Sequence, residues 1–226
     1  MAQSTTVKQA RAILGDDVLG PEELRAALGG VDDTEAGAAV PFTPADLEQA
    51  RGNGELLVLR AAAVAGAPLT LLRLIQRFPE SFDQASLRKM GYQLRDEWGI
   101  ELEPLAAIDT CRSHWALVRK DLLPDTRNLS YDEQDALIDG YGVAQGAPGC
   151  CRRRSGVEIA FDLIVYHRAR GTRLLSKGWD WSSSRTIDGG FLNVGRFNDA
   201  GMQVFSYSRA VRHGQLGVCP TRDPNQ

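Results

Sequence analysis

A chain of 226 residues exceeds the usual size of one domain but fits a single large one, and 43% apolar residues are enough to bury a sizeable core. Its 26 Lys and Arg face 29 Asp and Glu, a net charge of −3 that lacks the positive surplus needed to neutralise nucleic-acid phosphates. No run approaches the roughly 20 apolar residues that span a bilayer, residues 1–8 hold no apolar signal segment, and four cysteines are too few for a disulfide framework, so a cytoplasmic location is expected.

Two short helices are predicted first. One covers Val7–Leu14; the other covers residues 20–28, with Pro21 at the first helical position, Glu22 and Glu23 at the positive end and Gly29-Gly30 as the stop. Residues 29–40 are small and acidic and read as a linker, so residues 1–40 form one unit of short helices and linker, and residues 41–226 the main domain. Thr43 and Pro44 start a helix to about Ala50, and the apolar run 55–60 suits a buried strand. Thr70 caps a helix over 71–78, and Ser81 or Asp83 starts another in which Leu87, Met90, Leu94 and Trp98 approximate helical spacing.

Residues 114–118 read as a strand. Ser130 and Glu133 form a capping box for a helix through Ile138, and residues 140–149 are loop-like. The strongest helix covers Gly156–Arg170, with Val157, Phe161, Ile164 and Val165 on one face and Gly171 as terminator. After Gly171 the period changes. Residues 191–197 and 202–207 flank a turn at 198–201 and predict a hairpin, and residues 216–219 make a last strand beside it. The fold class is therefore α+β: helix-rich through Arg170, then an antiparallel β module at about 171–222 that can recruit the strands at 56–60 and 115–118.

Chemistry-bearing motifs are scarce. No Gly-rich phosphate loop, H-E-x-x-H or G-x-S-x-G is present. Cys111 and His114 make a C-x2-H pair, but the adjacent Cys150 and Cys151 rarely ligate one ion together, so no metal and no cofactor are expected. As a nucleophile, Cys150 or Cys151 draws on the following arginines and the helix start at about Gly156, although no histidine is placed within reach by sequence. No catalytic residue is assigned. Arg152-Arg153-Arg154 is the one basic cluster, an anion-binding candidate that Arg168, Arg170 and Arg173 can extend.

The segment Trp179-Asp180-Trp181-Ser182-Ser183-Ser184 is the main binding candidate, together with Asp188. In an extended chain its two indoles share one side, which points both inward as anchors and Asp180 outward, before a solvent-facing serine turn. With residues 191–197, 202–207 and Gly217-Val218-Cys219-Pro220-Thr221-Arg222, this segment resembles the C-terminal part of C-type-lectin-like modules, in the bacterial branch related to formylglycine-generating enzymes. Trp181-Ser182-Ser183 matches the W-S-S element, and Gly217-Val218 and Arg222 match the ends of the closing G-[VF]-R-x-x-R strand, with Cys219 in place of an arginine. The likeness covers residues 178–222; residues 41–118 resemble bacterial proteins to which no function is attached. The resemblance implies a C-type-lectin-like fold and recognition through exposed loops. The expected function is a non-enzymatic binding or structural protein taking a protein or small ligand. The alternatives are an enzyme acting on an anionic substrate through a cysteine, and a weak nucleic-acid binder. No membrane association is expected, and homo-oligomerisation stays open.

Overall fold

In the computed structural model, which describes residues 5–29, 39–88, 99–146 and 149–224, helices begin where capping residues stand. Thr6 and Gln9 box the start of α1 (Val7–Leu14), which leads to β1 (Val18–Leu19). Glu23 accepts the Gly20 N–H at the start of α2 (Pro21–Leu28), and Thr43 with Asp46 opens α3 (Pro44–Gly52). Then come β2 (Glu55–Leu59), the two-residue strands β3 (Ala63–Val64) and β4 (Ala67–Pro68), and α4 (Leu71–Arg77) under its Thr70 cap. α5 (Gln84–Arg88) follows; its expected continuation through Met90, Leu94 and Trp98 lies outside the described residues.

α6 (Pro104–Ile108) and β5 (Trp115–Arg119) precede α7 (Tyr131–Ala144). α7 outruns its expected end at Ile138 by six residues, through Gly140 and Gly142, so the first part of the expected 140–149 loop is helical. Each glycine costs about 1 kcal/mol relative to alanine. The packing of Leu137, Ile138 and Tyr141 against Leu123, Cys151 and Val218 offsets it. β6 (Cys151–Arg152) and α8 (Gly156–Arg170) are followed by β7 (Trp179–Arg185), β8 (Phe191–Asn198), β9 (Gly201–Tyr207), β10 (Leu216–Gly217) and β11 (Thr221–Arg222).

The chain is α+β, with two main sheets. One has the order β1-β2-β5-β11-β6, with β1 parallel to β2 and the other neighbours antiparallel; the second has the order β10-β7-β8-β9. The strands at 55–59 and 115–119 thus build their own sheet and do not extend the C-terminal one. The hairpin forms with a tighter turn than expected, because Asn198 pairs with Gly201 and only Asp199 and Ala200 lie between. Gly201 has φ +106°, and a Cβ there would lie 2.4 Å from the Phe82 carbonyl carbon, so the passing 82–83 backbone requires glycine. The last strand divides: β10 pairs in parallel with β7, and the chain then crosses to place β11 between β5 and β6.

α8 sits in the middle. Every residue from Gly156 to Val165 is buried, and one core joins this helix to α1, α2, both main sheets and α4. A helix buried on all sides lacks a clean polar stripe. Its carboxylates must therefore find partners inside, which is what builds the site. Among the described residues, no helix is long and apolar enough to cross a membrane.

Candidate functional site

Two carboxylates one turn apart, Glu158 and Asp162, project from the same face of α8 in its otherwise apolar, buried stretch 156–165. Charges this deep persist only when paired and hydrogen-bonded. Arg60, at the end of β2, meets both: its Nη1 lies 3.0 Å from Glu158 and its Nη2 2.7 Å from Asp162. Arg154, just after β6, donates to Asp162 at 2.8 Å and on its other side to Asp180 of β7 at 2.8 and 3.0 Å. In the other direction Arg152 donates twice to Glu158 at 2.8 Å and twice to Asp223 at 2.7 and 3.2 Å; Asp223 in turn faces His114 Nε2 at 2.9 Å.

The result is one alternating chain, Asp180–Arg154–Asp162–Arg60–Glu158–Arg152–Asp223–His114, fully buried at Asp180 and partly exposed at His114. His114 Nδ1 lies 3.0 Å from the Arg112 carbonyl oxygen, so both ring nitrogens face acceptors. Three arginines thus alternate with four carboxylates, and the histidine closes the chain at its open end.

This network takes up Arg152, Arg154 and Asp180 of the sequence-predicted site. Arg154 is buried in it, and Asp180 is 0% exposed and faces inward, the reverse of the expected orientation. The reason is the Arg154 guanidinium together with the Cys219 N–H, which donates to Asp180 at 2.8 Å on the core side of β7. Arg153 is also buried. It donates to Asp135, Gln134 and the carbonyls of Trp181 and Tyr131, and lies 3.7 Å over the Tyr131 ring, stapling α7 to β7. Arg168, Arg170 and Arg173 do not join the 152–154 run: they bond to Ala27, to Asp16 and to Asp199.

Trp179 and Trp181 are buried anchors on the opposite face of β7, packed with Tyr131, Tyr207 and Leu216. Ser182 and Ser184 are buried rather than solvent-facing, because the segment is strand and not turn; Ser184 Oγ accepts the Gly156 N–H at the start of α8. Ser183 is exposed. Asp188 is exposed too, and accepts from Thr186 and the Gly190 N–H within its own turn.

Where the charge chain reaches the surface there is an open cleft of about 660 Å³. Its lining includes Ile108, Asp109, Thr110 and Arg112, together with Arg152, Ser155, Ser183 and Asp223. Among the predicted residues the fold therefore brings Arg152, Arg153 and Ser183 to the cleft and leaves the rest elsewhere. Glu158 accepts the Ser155 N–H and receives Arg152 and Arg60, so the positive end of α8 is already compensated. Two charges in the cleft are uncommitted. Arg112 is exposed, Asp109 is half-buried, and neither side chain has a hydrogen bond or ion pair among the described residues, not even with the other. Burial pushes the Asp109 carboxyl up. Ile108 adds an apolar wall, 72% exposed.

Sequence reasoning missed Arg60, Glu158, Asp162, Asp223, Arg112 and Asp109. The readable signal was the Glu158/Asp162 pair inside an apolar helix, together with an arginine closing the apolar run of β2.

The four thiols form no disulfide, and burial pushes those of Cys111, Cys151 and Cys219 up, away from the thiolate. No group of three or more metal-ligating side chains occurs among the described residues. For Asp223, burial acts to raise the carboxyl, but the bonds from His114 and Arg152 outweigh it and hold the group at about 2. A depressed folded-state value contributes stability above the unfolded carboxylate value of about 4 and loses it as pH falls toward 2. Urea titrations from pH 7 to pH 2 should therefore show the parent more stable than Asp223→Asn at neutral pH, with the gap closing between about pH 4 and 2. A gap of constant size across that range would contradict this assignment.

No family model, curated protein or solved structure matches the chain.

Proposed function

We propose that this protein is a non-enzymatic binding protein that holds a small zwitterionic ligand, such as a free amino acid or a short peptide, in the cleft beside α8. The observation that carries this reading is the pair of uncommitted, oppositely charged side chains on the 108–112 loop. Arg112 offers a fork for a carboxylate, and Asp109 an acceptor for an ammonium. Thr110, Ser155 and Ser183 add hydroxyls for orientation, and Ile108 takes the apolar part of the ligand. The charge chain behind them is complete in itself, so it gives the cleft a rigid floor that ligand charge does not need to repair.

The C-type-lectin-like likeness belongs to the same reading: its Trp181-Ser182-Ser183 element supplies Ser183 to the cleft, and its indoles anchor the strand that carries it. The cysteine-nucleophile alternative has less support, since three thiols are pushed up by burial and His114 has no free ring nitrogen to act as a base. Nucleic-acid binding is weakened by the internal pairing of Arg152, Arg153 and Arg154.

Thermal unfolding in the presence of each common amino acid and of simple dipeptides tests the reading. A ligand present at 100 times its Kd stabilises by about 2.7 kcal/mol. At least one such compound should raise Tm. Arg112→Gln and Asp109→Asn should each weaken its binding by about tenfold or more, the scale of a lost charge-assisted contact, while Asp188→Ala leaves it unchanged. If no compound shifts Tm, or if both cleft variants bind like the parent, the reading is wrong.

A further inference from the structure

A second cavity, of about 240 Å³, lies at the other end of β7. It opens before Gly178, whereas the cleft begins at Ser183; five residues of extended strand put the two roughly 16 Å apart. Two loops form it: residues 121–127 and residues 173–178. Its lining carries Arg127, Arg173 and Lys177 against one carboxylate, Asp121.

Three positive charges around so small a space repel one another in a protein whose net charge is −3. Arg173 is tied to Asp199 at 2.7 Å, outside the cavity lining. Arg127 and Lys177 are exposed, and neither has a carboxylate partner among the described residues.

The backbone of the same loops is unusual. Among the described residues five non-glycine residues have positive φ, and three of them are here: Asp125 (+64°) and Asn128 (+59°) flank Arg127, and Leu175 (+54°) lies between Arg173 and Lys177. Leucine gains no local hydrogen bond from this conformation, which costs about 1–2 kcal/mol. It persists because Leu175 is buried and its carbonyl accepts the N–H groups of Gly178 and Phe197. The Arg127 loop is pinned likewise: Thr126 Oγ1 donates to Leu123, the Thr126 carbonyl accepts from Gln134, and the Asn128 N–H donates to His213. Both loops are held by the fold in conformations that bring their cations together.

We infer that the cavity between these two loops is a binding site for the phosphate group of a small molecule, held by Arg127, Arg173 and Lys177. A phosphate dianion matches the charge, because it accepts from guanidinium forks and an ammonium at once. With Arg173 already paired to Asp199, the dianion supplies the counter-charge that Arg127 and Lys177 lack. A cavity of about 240 Å³ is large enough for a phosphate with a short substituent. The site is independent of the cleft at Arg112.

Calorimetric titration with inorganic phosphate and with glycerol 3-phosphate tests this, on the full chain at low ionic strength. The parent should bind at least one of them saturably, and tighter binding of glycerol 3-phosphate would assign the site to a phosphomonoester, tighter binding of phosphate to the free ion. Arg127→Gln and Lys177→Gln should each loosen binding by about tenfold, and the double variant should abolish it with Tm unchanged, since both side chains are exposed. Arg112→Gln should leave phosphate binding intact, which separates this site from the cleft. The inference is overturned if neither compound binds, or if the double variant binds as the parent does.

Discussion

Asp162→Ala is expected to destabilise the protein by about 3–5 kcal/mol, the cost typical of removing one partner from a buried charge pair. Asp162 sits at the middle of the charge chain, 1% exposed at its side chain, and accepts from both Arg60 and Arg154. Its removal cuts the chain in two and leaves an excess positive charge among side chains that solvent does not reach. At roughly 2–4 °C per kcal/mol for a chain of this size, Tm should fall by on the order of 10 °C. Asp162→Asn should cost less, because the amide oxygen still accepts from one arginine. Urea denaturation of the two variants beside the parent checks both statements. A loss below about 1 kcal/mol for Asp162→Ala, the scale of an exposed pair, would mean that water enters the network and that the interior is not sealed as described.

Trp181→Ala is expected to cost a similar ~3–5 kcal/mol for a different reason, a cavity. The indole is 0% exposed and lies edge-on to Tyr131, with ring centroids 5.2 Å apart. Tyr131 in turn stacks on Phe191 and carries Arg153 over its face, so the indole supports the joint between α7 and the C-terminal sheet. Losing it removes transfer free energy and leaves a void that strands fixed by Trp181–Asn193 pairing collapse into only partly. Asp188→Ala, at an exposed turn, should shift the unfolding midpoint little. The comparison separates anchoring from ligand contact: a Trp181→Ala protein as stable as the parent would return the indole to the list of recognition residues.

Local signals were legible wherever one residue acts on its immediate neighbours. Thr43, Thr70 and Ser130 stand before the helices they were expected to start, since a cap bonds only to the next turn. Gly171 adopts φ +70° and ends α8 where the apolar pattern stops. The hairpin of β8 and β9 was readable from two β-prone runs around a polar turn. Its tight Asp199-Ala200 connection was not, because the register depends on Phe82 and Asp83 passing against Gly201.

Composition, capping residues and apolar period thus determined by themselves an α+β chain with most of its helices and the strands β2, β5, β8, β9 and β10. Tertiary structure alone decided where the charges went. Asp180 between two inward indoles reads as solvent-facing by alternation, yet alternation says only which side of the strand it occupies, not what lies on that side. What lies there is Arg154, brought by a chain segment 26 residues away, and behind it an α8 whose carboxylates have no water to face. Likewise Arg152-Arg153-Arg154 reads as one basic surface, but its three side chains reach Asp223, Asp135 and Asp180. A charge's partner is set by distance in space, and pairing in a low-dielectric interior outweighs any local preference for solvent.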